Sequence, residues 1–337
     1  MTMELTPRDR AEGALWGLFL GDALAMPVHW YYDRLALRRD YGEVRDLLPP
    51  HNPHPDSILH RSRYVPAEPE ADILHDQARF WGRPGVHYHQ FLAAGENTLN
   101  LQLVQLLLAT LAERGGYDVD QYLDRMIAFM RDPASHRDTY VEEWARGFFA
   151  RRAQGADLRD CGVVEKHIGG LAGPVALLIG LHADPERARA AAHEHRELTH
   201  KGPVMARALD AVADVLQPVL AGAPLRGTID AARTRGRNPL FAHDFARWEA
   251  RDNLEVVGRQ LSPACYVDGA VPASLYLARK YADRPEDGLV ANTMVGGDNC
   301  YRGAVVGALL GAAAGAAGWP DRWRAGLRFR PVLPLSD

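Results

Sequence analysis

The sequence predicts an all-α fold, and three observations carry the prediction. Apolar residues recur at three- and four-residue spacing along most of the 337 residues, which is the period of a helix that buries one face. No set of alternating β-branched runs is long or numerous enough to build a sheet. Glycine, finally, recurs every fourth residue near both ends, as Gly13, Gly17 and Gly21 and again as Gly303, Gly307, Gly311 and Gly315. Each glycine costs a helix interior about 1 kcal/mol relative to alanine, so a run of them needs an offsetting gain. Bare backbone along one face supplies it by letting a second helix approach closely. The two stripes are therefore expected to pack on each other and to bring the chain ends into one helical bundle.

Helical patterns run in order near 8–28, 90–113, 118–131, 139–152 and 202–219, then near 265–281, 285–292, 298–316 and 320–327. Pro185 and Pro285 each suit a first helical turn, where the missing N–H has no helical partner to lose. Between about 48 and 85 the pattern breaks. Pro49, Pro50, Pro53, Pro55, Pro66, Pro69 and Pro84 exclude a helix there, while Tyr64, Phe80, Trp81 and several histidines give the stretch a content unlike a linker. An ordered covering loop is expected. No composition shift marks a boundary, so residues 1–337 are expected to form a single domain with its core at about 8–327 and a peripheral tail after Leu327.

Composition narrows the function classes. Hydrophobic residues make up 47% and charged residues 24%, and the net charge of -4 gives no broad electrostatic attraction to nucleic acid. Gly303 to Trp319 is short and weakly apolar for a membrane span, so a buried helix is expected instead. The N-terminus lacks the basic start, apolar run and cleavage site of a signal peptide. Cys161, Cys265 and Cys300 are odd in number and form no CxxC pair, which fits a cytoplasmic protein.

Three polar clusters interrupt the apolar pattern: Asp22 to His29, His87-Tyr88-His89 followed by Glu96-Asn97-Thr98, and Asp298-Asn299-Cys300. Each lies near a predicted helix end, so capping is the plain alternative to chemistry for Glu96, Asn97 and Asp298. The glycine stripes bring Asp22 and Asp298 to one place, however, and that favours a shared polar pocket. His29 titrates near neutrality and suits acid–base work, with a packed histidine beside Trp30 and Tyr31 as the alternative. In an extended segment His87 and His89 would share a face and hold a phosphate, a metal or a ribose hydroxyl. Arg302 is a candidate phosphate partner. Trp30, Tyr31, Tyr32, Trp81 and Tyr88 offer rings for stacking against a planar ligand.

These motifs resemble the ADP-ribosylglycohydrolase family over about residues 8–327. Gly13 through Asp22 is similar to the family's opening helix. Gly95-Glu96-Asn97-Thr98 stands where the family has Thr-Asp-Asp-Thr, and Gly296-Gly297-Asp298-Asn299-Cys300-Tyr301 where it has Gly-Gly-Asp-Thr-Asp-Thr. Leu198-Thr199-His200 and Trp319-Pro320-Asp321-Arg322-Trp323 resemble its Leu-Thr-His and closing Pro-Glu-Arg-Trp. The resemblance implies an all-α glycohydrolase fold in which two Mg²⁺ or Mn²⁺ ions bind the ribose of ADP-ribose. The sequence departs from the family at the ligands. Two ions bring a charge of +4, while Glu96 and Asp298 return only -2, so one Mg or Mn ion or none is expected, at Glu96, Asn97 and Asp298. Cys300 is a soft donor without an evident tetrahedral set. Where some family members have a glutamate, this chain has His29.

The reading is a hydrolase that cleaves an N- or O-glycosidic bond of an ADP-ribosyl or related ribosyl substrate. His29, Glu96 and Asp298 are its expected catalytic residues, and Asp22, His87, His89, Asn97, Gly296, Gly297, Asn299 and Arg302 its ligand-binding ones. A noncatalytic ADP-ribose-binding or structural protein on the same scaffold stays open, as does a metal-independent glycoside or nucleoside hydrolase. Nucleic acid enters only as a carrier of the substrate, and no membrane partner is expected.

Overall fold

Local signals set the helix boundaries in the computed structural model, which describes residues 5–335. Helix α1 (Pro7–Ala25) starts at a capping box: the Thr6 hydroxyl accepts from Asp9 N, and the Asp9 carboxylate accepts from Thr6 N. Two otherwise orphaned amides are satisfied together. Asp33 caps α2 (Arg34–Tyr41), Thr98 precedes α3 (Leu99–Arg114), and Asp118 caps α4 (Val119–Arg131). After α5 (Glu143–Ala153) and α6 (Ala172–Gly180) comes α7 (Pro185–Thr199), with Pro185 in its first turn as the sequence predicts. Helices α8 (Pro203–Leu220), α9 (Leu225–Arg235), α10 (Phe245–Trp248), α11 (Asn253–Glu255), α12 (Val267–Lys280), α13 (Pro285–Val295), α14 (Asn299–Ala314) and α15 (Asp321–Gly326) complete the order. Strand among the described residues is confined to the parallel pair β1 (Val163–Val164) and β2 (His200–Lys201). The fold is all-α.

Helix α14 is the centre, buried from Asn299 through Ala312. A Cβ placed on Gly13, Gly17 or Gly21 would fall on the backbone of Gly311, Gly307 or Gly303 respectively. One series rises as the other descends, so α1 and α14 pack antiparallel with their glycine faces in register. The Trp319 indole closes the far end by donating to Gly13 O at 2.9 Å. Helices α6, α8, α12 and α13 surround the pair.

Three details depart from the sequence pattern. The stretch near 90–98 is turns, and α3 begins only at Leu99. Helix α6 is buried at every residue, and a helix that is apolar all round has no polar face to reveal its period. The tail after Leu327 is not peripheral: Arg328 N donates to Gly95 O at 2.9 Å, the Phe329 ring lies 4.6 Å from that of Phe19, and Leu333 is buried.

The proline-rich stretch runs through short 3-10 turns and buries His54, Leu59, Ile73, Leu74 and Trp81. Side chains pin it to the core. Trp81 donates to Thr139 O at 2.8 Å, Ile58 N donates to the Tyr88 hydroxyl at 2.8 Å, and Asp56 accepts from Tyr32 N and Asp33 N.

Candidate functional site

The turn before α14 is built from two glycines in the left-handed region, Gly296 at φ 73° and Gly297 at φ 68°. A Cβ on the first would strike Tyr31 O and on the second Pro263 O, so glycine is required by both conformation and space. Trp30 N donates to Gly297 O at 2.8 Å, and Gly297 N donates to Tyr31 O at 2.7 Å. Trp30 itself sits at φ 61°, a strained conformation for a bulky residue that its surroundings must impose. Gly296 and Gly297 therefore place Asp298 beside His29; their role here is the turn. Arg302 supports that turn from inside. Fully buried, it donates to Asn292 Oδ1, Asn292 O, Gly296 O and Pro263 O. With its donors spent on the Asn292 side chain and on backbone carbonyls it does not face a phosphate, contrary to the sequence expectation. Burial lowers its pKa to about 10, opposed mainly by the Asp298 charge.

Asp298 occupies the N-cap position of α14, yet its side chain makes no capping bond. Oδ1 meets His29 Nε2 at 3.2 Å, and His29 Nδ1 meets His89 Nε2 at 2.7 Å. His89 Nδ1 in turn lies 2.7 Å from Asp138 Oδ1, and Asp138 Oδ2 accepts from Leu99 N at 2.8 Å. A buried chain Asp298–His29–His89–Asp138 thus runs from one helix N-terminus to another. Burial pushes the His29 pKa well down, with the neighbouring His89 adding to it. Burial also raises Asp298 to about 6, against the opposing Arg302 charge. The Trp30 ring stacks on His29 with centroids 3.9 Å apart, and Tyr301 meets its edge at 5.1 Å.

His87 stands apart from this chain. Its Nε2 pairs with Pro27 O at 3.0 Å and its Nδ1 accepts from His89 N at 3.0 Å, so both nitrogens are engaged and it does not share a ligand face with His89. Asp22 is likewise consumed: it accepts from Asn97 Nδ2, Thr98 N and the Thr98 hydroxyl. Burial raises it to about 6 despite those bonds. Asn97 also donates to Phe19 O, and Asn299 to Val28 O and Thr293 O. The amide oxygens of both, and Asp298 Oδ2, are buried with no hydrogen-bond partner.

Glu96 departs furthest from expectation. It accepts from Ala93 N at 2.6 Å and pairs with Arg137 at 2.7 Å, with side-chain exposures of 28% and 59%. That ion pair lines a separate groove with Asn97, Arg328 and Phe329. Glu96 joins no hydrogen bond of the histidine chain.

The cavity nearest the chain has a volume of about 260 Å³ and lies under the covering loop. Trp30, Trp81, Tyr88 and Tyr140 form its walls, and Glu142, Arg146, His167 and Cys265 its polar lining. Glu142 is buried, accepts from the Trp144 indole at 3.0 Å, and has its pKa raised to about 8 by burial and by the Asp298 charge. It therefore holds its proton near neutrality, in a cavity whose Tyr32, His167 and Cys265 also feel Asp298.

Sequence reasoning missed Asp138 and Glu142. Asp138 sits in a loop with no periodic signal, and Glu142 precedes α5 where an acid reads as an ordinary helix start. It also missed Glu165, which contacts His167 and lies 3.5 Å from His200 Nε2.

The donors do not suit a pair of hard ions. Glu96 is committed to Arg137, Asn97 to Asp22, and the Cys300 thiol and Tyr301 phenol are buried with pKa values driven well upward, chiefly by burial. Asp298 Oδ2 is the one uncommitted carboxylate oxygen left at the matched positions, whereas Mg²⁺ and Mn²⁺ need several oxygen ligands. One group of three donors among the described residues does have ligand-like spacing: His29, His89 and Cys300, whose donor atoms lie within 4.8 Å of one another.

A family model described as ADP-ribosylglycohydrolase matches residues 3–336. A solved structure described as an ADP-ribosylglycohydrolase-related protein complex is 23% identical, with a TM-score of 0.66, covering 96% of this chain and 94% of that one. At that identity the likeness speaks for the fold. No curated protein sequence matches.

Proposed function

This chain belongs to the ADP-ribosylglycohydrolase family, and we propose that it hydrolyses a glycosidic bond of an ADP-ribosyl or related ribosyl substrate in the aromatic cavity. The observation that carries the proposal is Glu142, a buried carboxylic acid held protonated at one wall of that cavity. Such a group suits general-acid catalysis. As the bond from the anomeric carbon to the aglycone breaks, the Glu142 proton goes to the departing atom, and the bonding electrons leave with it. Water adds to the anomeric carbon and its proton passes to Asp298, which lies behind the lining residues Tyr32, Glu142 and His167 that feel its charge, with Oδ2 free to accept and Oδ1 held by His29. Trp30, Trp81, Tyr88 and Tyr140 stack on the planar part of the ligand. The reaction runs without the Mg or Mn pair, since the donors for it are committed elsewhere.

The volume of about 260 Å³ is below the usual range for a whole drug-sized ligand, and it favours a ribosyl or nucleoside end bound inside with the remainder at the mouth. That observation supports a second reading, metal-independent cleavage of a nucleoside or simple glycoside. No described helix is long and apolar enough to cross a membrane, and the three free cysteines support a cytoplasmic setting. The nearly full-length family match supports a single domain.

The test is release of free sugar or ADP-ribose from ADP-ribosylated peptides, ADP-ribosyl small molecules and ribonucleosides, with and without Mg²⁺ or Mn²⁺. The expected result is turnover of at least one ribosyl substrate that persists in chelator. Tight calorimetric binding of ADP-ribose without product would contradict hydrolysis and favour the noncatalytic binder.

A further inference from the structure

We propose that His29, His89 and Cys300 form a buried site for a borderline divalent ion of the Zn²⁺ class, built in place of the family's hard-ion pair. The inference rests on donor geometry and stands independently of the glycohydrolase reading.

Each histidine presents one nitrogen to a buried carboxylate: His29 Nε2 to Asp298 Oδ1 at 3.2 Å, and His89 Nδ1 to Asp138 Oδ1 at 2.7 Å. An ionised carboxylate only accepts, so each of those nitrogens carries the hydrogen. A neutral imidazole has one N–H. The remaining nitrogens, His29 Nδ1 and His89 Nε2, are then both lone-pair acceptors, yet they face each other at 2.7 Å. Two lone pairs at that separation repel, and either a proton or a metal ion between them relieves the repulsion. A carboxylate behind each imidazole is also how metal-binding histidines are oriented and made more basic, and here it occurs twice within one group.

Cys300 supplies the third donor. It lies in the first turn of α14, and its sulfur falls within 4.8 Å of both histidine donors. Two imidazoles and a thiolate match the borderline preference of Zn²⁺ and exclude Mg²⁺. Nitrogens on a tetrahedral ion with bonds of about 2.0–2.1 Å lie roughly 3.3 Å apart, so binding opens the His29–His89 gap by about 0.6 Å relative to the present geometry. The Trp30 stack and the Tyr301 edge hold the His29 ring in plane. On binding, the ion takes the two nitrogen lone pairs and the sulfur lone pair, and the Cys300 proton leaves to solvent.

The test is titration of the full-length, chelator-stripped protein with Co²⁺, followed by displacement with Zn²⁺. The expected result is one equivalent of Co²⁺, visible ligand-field bands and a sulfur-to-cobalt charge-transfer band, all removed by Zn²⁺ and unaffected by Mg²⁺. Cys300→Ser should abolish the charge-transfer band while circular dichroism shows an intact fold. Asp138→Asn, one step removed from the ion, should weaken binding roughly 10–100-fold. Absence of a stoichiometric Co²⁺ spectrum, or a charge-transfer band that survives Cys300→Ser, would overturn the site. Turnover in chelator would leave the proposed hydrolysis standing whichever way the titration falls.

Discussion

The glycine seam runs along α1 and α14 and the histidine chain lies just beyond its Gly21–Gly303 end, yet they are held in opposite ways. Along the seam the helices meet through bare backbone: Gly17 faces Gly307, Gly21 faces Gly303, and no side chain lies between. One turn further on, the contact passes to Asp298, His29, His89 and Asp138, four polar groups from four separate segments that meet one another away from water. The seam has no tolerance for added volume and no electrostatics. In the chain, each member depends on its neighbour's proton. The lesson is that close packing of the seam fixes the backbone frame, and a buried polar network can then be specified by few residues.

Four substitutions break or sharpen this comparison. Gly307→Leu should have the largest effect, because its side chain would have to enter the backbone of Gly17; loss of a cooperative thermal transition by circular dichroism is expected. Arg302→Met strips Gly296 O and Pro263 O of a buried donor and should cost about 3 kcal/mol or more, read as a lower urea midpoint with an unchanged slope. Glu142 predicts a pH effect. Its folded pKa of about 8 is raised above the ordinary 4.5, so its protonated form favours the folded state. That contribution is complete below pH 4.5 and is lost as pH rises toward 8, at up to about 1.4 kcal/mol per pH unit. Melting temperature should therefore fall across this window in the wild type and fall less in Glu142→Gln. Glu96→Gln should be smallest, under about 1 kcal/mol by chemical denaturation, because it removes one surface ion pair.

Much of the frame was legible in the residues. Period-four glycines named both members of the central pair and their mutual contact, since only a repeated absence of side chains gives that signal. The helix starts at Pro185 and Pro285 were legible for a different local reason, the missing N–H that suits a first helical turn. The polar network was only half visible. His29, His89 and Asp298 could be picked out as polar residues in apolar surroundings, but Asp138 could not, because it reaches the chain through a turn that no spacing encodes. Glu96 and Asn97 are adjacent, and a start of α3 at Leu99 sends one toward Arg137 and the other toward Asp22. Sequence position alone does not distinguish those two directions. Arg302 misled in a similar way: an arginine beside a glycine turn suits a phosphate, and the structure spends it on carbonyls instead.

The most direct measurement compares Glu142→Gln with Glu96→Gln in the hydrolysis of a ribosyl substrate that the wild type turns over. The geometry predicts that Glu142→Gln lowers kcat/KM by roughly 10²–10⁴-fold, while Glu96→Gln stays within a factor of about two to three of the wild type, as expected for an exposed ion pair. The reverse pattern, with Glu142→Gln active and Glu96→Gln inactive, would place the chemistry in the outer groove and contradict the site described above.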